Sequence, residues 1–190
     1  MLTLEHLVEL LETHREPAQA RVREFAIGNR PFTFNARPAI MGVVNLSADS
    51  WYRESVCLSA EAAIQRGRLL QTQGADLVDV GAESTLRHAA RQDAAAQKRQ
   101  LLPVIRALRE AGVLVSAETY SPEVARACLE AGANVLNLTG SSYGEEIYRY
   151  AADHAAAVIL CYVQGPNVRE VGDFDSGGDP VALMHEYFSR

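Results

Sequence analysis

Apolar positions recur with two different periods along the chain. Leu4, Leu7, Val8 and Leu11 fall at helical spacing, so a short amphipathic helix is expected at the start, interrupted or restarted at Pro17. Two apolar runs, 25–27 and 31–34, flank Gly28-Asn29-Arg30 and predict a β-hairpin with a Gly-Asn turn. Residues 1–36 are therefore read as an N-terminal helix and hairpin cover, and 37–190 as the main fold. From Ala39 onward short apolar runs alternate with longer helical stretches. Strands are expected at 39–44, 77–80, 113–117, 135–138 and 158–163, and helices at 59–73, 93–111, 121–131, 143–154 and 179–189. Apolar strands of this length between helices are what a parallel sheet buried on both faces requires.

A faint internal repeat supports the same architecture. GADLVDVG at 74–81 resembles GANVLNLTG at 132–140, and AGVLVSAET at 111–119 follows the same plan. In each, a glycine ends a helix, an apolar strand follows, and polar residues close the strand. The polar residues at the five strand ends are Asn45, Asp79, Glu118, Asn137 and Gln164. Each taken alone reads as a strand cap. In a (β/α) barrel all five converge on the mouth where barrel enzymes place their chemistry. The fold class expected is α/β, of the (β/α)8 TIM-barrel type, with about five of the eight βα units present; a closed barrel takes about 250 residues. The chain stops inside a helix capped by Asp179 and opened by Pro180. The expectation is a segment of a longer polypeptide, with a partner chain that completes a half-barrel as the alternative.

Composition narrows the function classes. A chain with 48% hydrophobic and 22% charged residues is an ordinary globular one. A net charge of -6 without a basic stripe argues against nucleic acid, while leaving room for an anionic small molecule held by local donors. Cys57, Cys128 and Cys161 are too scattered for a disulfide framework or a zinc motif, and suit a reducing compartment. The first eleven residues carry Glu5, His6 and Glu9, unlike a secretory signal, and no run reaches the roughly 18 apolar residues of a membrane span. A cytoplasmic protein without membrane partners is expected. His6, His14, His154 and His185 fall on helical stretches and read as solvated; His88 reads as a loop surface residue. Asp173, Asp175 and Asp179 around Gly177-Gly178 do not have the spacing of an EF-hand and are read as loop.

Three ordered segments carry a family resemblance. IMGVVNLSADSW at 40–51 is similar to I-M-G-[IV]-[LV]-N-x-T-P-D-S-F; GADLVDVGAEST at 74–85 to G-A-D-[IL]-[IV]-D-[IV]-G-G-E-S-T; and VSAETYSPEVA at 115–125 to [IV]-S-[IV]-D-T-x-x-x-x-V-A. Asn134-Val135-Leu136-Asn137 and Val163-Gln164-Gly165 follow in register. The set resembles the dihydropteroate synthase family, pterin-binding TIM barrels that join a dihydropterin pyrophosphate to p-aminobenzoate. The resemblance implies that Asn45 helps hold Mg2+ on the pyrophosphate, and that Asp49, Ser50 and Trp51 ride on a first loop forming the p-aminobenzoate pocket. It further implies that Ser84, Thr85 and Arg87 belong to a second, phosphate-facing loop, with Thr85 donating to phosphate. Glu118, Asn137 and Gln164 then take the pterin ring. The catalytic set on this reading is Asn45, Asp49 and Thr85. A homodimer is implied as well.

The chain departs from the family pattern at several places. Ser47-Ala48 replaces Thr-Pro, Glu118 replaces Asp, Leu138 replaces the acid after the second asparagine, and Arg87 stands one position late. Motifs of strands six to eight do not occur in these residues. Two alternatives follow: a pterin-binding paralogue without catalysis, and a methyltetrahydrofolate-binding methyltransferase domain. Asp49 also suits a simple Asx-turn, Trp51 a buried loop anchor, and Glu83 a structural group bonding backbone at the strand end.

Overall fold

The computed structural model describes residues 2–141, 144–171 and 179–189. The aspartates at 173 and 175 fall outside the described residues. The chain divides into two compact units, Met1–Ala39 and Ile40–Arg190. In the first, helix α1 (Leu4–Thr13) is capped by Thr3, whose hydroxyl accepts from the His6 amide, and α2 (Arg15–Gln19) restarts the helix around Pro17. Strands β1 (Phe25–Ile27) and β2 (Arg30–Phe32) pair antiparallel across the Gly28-Asn29 turn, with Gly28 at φ 57°. Asn35 closes the hairpin by bonding both the amide and the carbonyl of Val22.

The second unit is a five-stranded parallel sheet in sequential order: β3 (Met41–Asn45), β4 (Leu77–Gly81), β5 (Val115–Thr119), β6 (Val135–Leu138) and β7 (Ala157–Leu160). Helices α3 (Ala60–Thr72), α4 (Ala94–Glu110), α5 (Pro122–Glu130) and α6 (Gly144–Asp153) connect them, and α7 (Pro180–Phe188) follows β7. Local chemistry explains the boundaries. Ser59, Asp93, Ser121 and Asp179 each accept a backbone N–H from the first turn of the helix they precede. The glycines of the repeat, Gly74, Gly112 and Gly132, all take positive φ just past a helix end, a conformation glycine adopts without penalty.

Two expected strand limits shift for identifiable reasons. β5 begins at 115 because the Val113 amide still bonds Leu108 O at 3.0 Å, closing α4. β7 ends at 160 because its partner β6 ends at Leu138, so residues 161–163 have no ladder to continue. Alternation then sorts the sheet's two faces. Val44, Val78, Val80, Val115 and Ala117 pack under α3, α4 and α5 in one fully buried core. Leu136 and Leu138 join Leu129 and Ile147 in a second. Leu138 thus faces the helix layer, and the acid that it replaces would be aimed away from the polar face.

Candidate functional site

The opposite face of the sheet carries the polar row. In the parallel register Asn45 lies beside Gly81, Gly81 beside Glu118, and Glu118 beside Asn137. One pleat below, Val43, Asp79 and Ser116 align in the same way. Residues two apart share a face, so the convergence expected from four of the five strand ends is realised by register. These side chains line a cavity of about 510 Å³. Ser50, Trp51 and Tyr52 from the first loop and Glu83, Ser84 and Thr85 from the second complete its walls.

Asp79 is the buried centre of the floor. It accepts hydrogen bonds from Ser116 Oγ at 2.5 Å and from Asn137 Nδ2 at 3.2 Å. Burial pushes its pKa up, against the lowering effect of those two donors. A Cβ on residue 81 would lie 2.7 Å from Glu118 Oε2, so the Glu118 carboxyl occupies the space that the bare backbone of Gly81 leaves. Desolvation first, then the charges of Asp79 and Glu83, raise the Glu118 pKa from 4.5 to about 8. At neutral pH its carboxyl therefore carries a proton and can donate as well as accept. Asn137 gives an N–H to Asp79, which fixes its amide. Together Glu118 and Asn137 offer both donor and acceptor groups, as a flat heterocycle edge requires.

The two loops are tied to each other. Ser84 Oγ donates to Asp49 O at 3.1 Å, and the Ala90 amide donates to Asp49 Oδ2 at 3.4 Å. Asp49 thus braces the second loop and does not line the cavity, and its own amide bonds Ser47 Oγ at 3.3 Å. Trp51 is 74% exposed on the cavity rim, so the buried-anchor reading of it fails. Glu83 accepts from the Gln92 amide at 3.0 Å and from Arg169 Nη1 at 2.8 Å, an ion pair buried at both ends. Arg169 comes from the loop after β7 and also bonds Ala89 O, so it ties the second loop to the loop that follows β7. The Tyr120 hydroxyl shares the Glu83 carboxylate; burial and that carboxylate push its pKa up to about 12.

Two expected site residues lie elsewhere. Arg87 and His88 are exposed beyond the cavity lining, because the chain turns outward after Thr85. Gln164 lines a separate cavity with Tyr162 and Tyr187, its Nε2 donating to Tyr162 Oη at 2.6 Å, since β7 stops four residues before it. Sequence reasoning missed Ser55, Ser116, Tyr52 and Arg169. Ser116 had a signal in its spacing, two residues before Glu118 on the same strand. Arg169 had none, as its partner is 86 positions away.

The family model for pterin binding enzymes matches residues 41–189. The chain belongs to the pterin-binding enzyme family. Among relatives, a dihydropteroate synthase of Synechocystis is 31% identical over 86% of this chain and 57% of its own length. One from Streptococcus pyogenes is 33% identical over 80% of this chain and 60% of its own. Among solved structures, Burkholderia cenocepacia dihydropteroate synthase complexed with 7,8-dihydropteroate superposes with a TM-score of 0.73 at 28% identity, covering 87% of this chain and 55% of that one. The Xanthomonas albilineans enzyme with 4-aminobenzoic acid gives 0.68 at 29%, covering 88% and 59%. This pterin-binding family member therefore spans somewhat over half the length of these relatives, and its five parallel strands correspond to part of their TIM barrel. Among the described residues no helix is long and apolar enough to cross a membrane.

Proposed function

We propose that this chain carries the pterin-binding part of a dihydropteroate synthase-type site of folate synthesis, joining a dihydropterin pyrophosphate to p-aminobenzoate. The observation that carries this reading is the row Asn45, Glu118 and Asn137 over buried Asp79, facing one cavity walled by both loops. Glu118 and Asn137 take the aminopyrimidinone edge of the pterin. Thr85 lines the cavity on the phosphate side and donates to the leaving group. Ser50 and Trp51 form the wall against which the arylamine seats, with Ser84 and Asp49 joining the loops behind them. The amine nitrogen bonds to the pterin methylene carbon as its bond to the pyrophosphate oxygen breaks. The pyrophosphate leaves with that electron pair, and the amine proton goes to solvent or to the leaving group. Such a displacement needs positioning and neutralised leaving-group charge, with no protein nucleophile.

No cluster of three His, Cys, Asp or Glu side chains suited to a metal occurs among the described residues. A magnesium ion held chiefly by phosphate oxygens and water needs few protein groups, and the Asn45 amide oxygen suits that role. When bound, the ion neutralises pyrophosphate charge. The relatives described above are dihydropteroate synthases, which favours this reading over a methyltransferase. A pterin-binding chain without turnover is the second reading, favoured by the glutamate at 118 and by the outward position of Arg87.

Calorimetric titration of a dihydropterin pyrophosphate, with and without Mg2+, into the natural polypeptide containing this chain tests the proposal. Magnesium-dependent binding followed by product with p-aminobenzoate supports the first reading, and binding without product the second. A folded protein that binds no pterin rejects both.

A further inference from the structure

Ser55 sits in a 3-10 turn of the first loop, Arg53–Ser55, and it is fully buried. Its Oγ is 2.6 Å from Tyr52 O and 2.7 Å from Asn45 Nδ2. A serine hydroxyl has one proton, and a carbonyl oxygen can only accept. The proton therefore goes to Tyr52 O. What remains on Oγ is lone pairs, which demand a donor from the other side.

We propose that Ser55 is a positioning residue that fixes the amide of Asn45 with its nitrogen inward, so that the site presents Asn45 Oδ1 and takes a cation or a hydrogen-bond donor there. The reverse amide orientation would bring two acceptors to 2.7 Å with no proton between them. Backbone contacts keep the pair in register. Asn45 and Val56 form a parallel bridge, and the Cys57 amide donates to Asn45 O at 2.8 Å, so the residue after Ser55 is pinned beside Asn45. Oδ1 lies toward the middle of the polar row, 3.5 Å from where a Cβ on residue 81 would stand, on the same side as Glu118 Oε2. No hydrogen bond onto Oδ1 occurs among the described residues. An acceptor beside a carboxyl in one cavity is complementary to a cation or a donor and repels an exposed anion.

The inference about the ligand rests on the proposed function; the inference about the amide does not, and two measurements separate them. In 15N-labelled protein the Asn45 side-chain NH2, identified by its loss in Asn45→Asp, should resonate as a hydrogen-bonded amide protected from solvent exchange. In Ser55→Ala it should lose that protection while the remaining amide spectrum holds. In parallel, inorganic pyrophosphate is titrated with and without Mg2+. Ser55→Ala should weaken magnesium-dependent binding by about 10–100-fold, the usual cost of losing a group that orients a ligand side chain. Ser55→Cys fills the site with a slightly larger group that is a weaker acceptor and should fall between, which preserves the test if the alanine variant misfolds. An unprotected Asn45 amide in the wild type, or one unchanged by either substitution, overturns the positioning role. If wild-type protein binds no pyrophosphate while the amide behaves as expected, the proposed function fails and the role of Ser55 stands.

Discussion

Glu118 concentrates the unusual chemistry of the site in one side chain. Burial and two neighbouring carboxylates hold its pKa near about 8, against 4.5 ordinarily. The unfolded chain releases this proton near 4.5, and the folded chain keeps it until about 8. Over that window the folded state binds more protons, so stability falls as pH rises and the loss is complete once pH has passed through the folded value. Glu118→Gln removes the titration. Its unfolding free energy should gain on the wild type progressively from pH 5 to pH 9, by an amount on the order of 1 kcal/mol or more after allowance for solvent at the open mouth, as urea denaturation at each pH would show. Parallel pH profiles of the two proteins would contradict this assignment. At this scale the sequence marked Asn45, Glu118 and Asn137, which line the cavity, and Asp49, which bonds the neighbouring loop. Ser116 was legible only through its spacing from Glu118, and Ser55 carried no local signal as a support.

Elements matter here through the loops that they launch. The second loop leaves β4 carrying Glu83, Ser84 and Thr85, and Arg169 from the loop after β7 holds it by a buried ion pair. Removing one partner of such a pair leaves the other charged and unmatched, at a cost of about 3–5 kcal/mol. Arg169→Ala should therefore lower the unfolding free energy by about that much, as urea denaturation would show, and weaken ligand binding through Thr85. Arg169→Lys should recover part of the stability and little of the loop order, because a lysine cannot bond Glu83 and the Ala89 carbonyl as a fork. A variant with wild-type stability would show that the pair contributes nothing net. Helix and strand positions were legible in the sequence because capping residues, helix-end glycines and apolar period are local signals. The extent of β7 was not, since it is set by the length of β6.

For the whole molecule the test is linkage. If the cavity binds a dihydropterin pyrophosphate with Mg2+, ligand at about 100 times its Kd adds roughly 2.7 kcal/mol to the folded state. For a chain of this size that corresponds to a rise of about 5–10 °C in melting temperature, read by calorimetry. No rise at saturating ligand would count against the site. The sequence by itself determined the alternation of strands and helices, the parallel sheet and the family, because these rest on period, caps and ordered motifs carried by neighbouring residues. Only the tertiary structure decided which polar groups face one cavity. Register aligns Asn45, Gly81, Glu118 and Asn137 across four successive strands, and alternation turns Leu138 to the opposite face. Arg87 and Gln164 carried the right motif positions yet lie outside that cavity, because where a loop leaves its strand and how far the strand is paired are fixed by contacts distant in the chain.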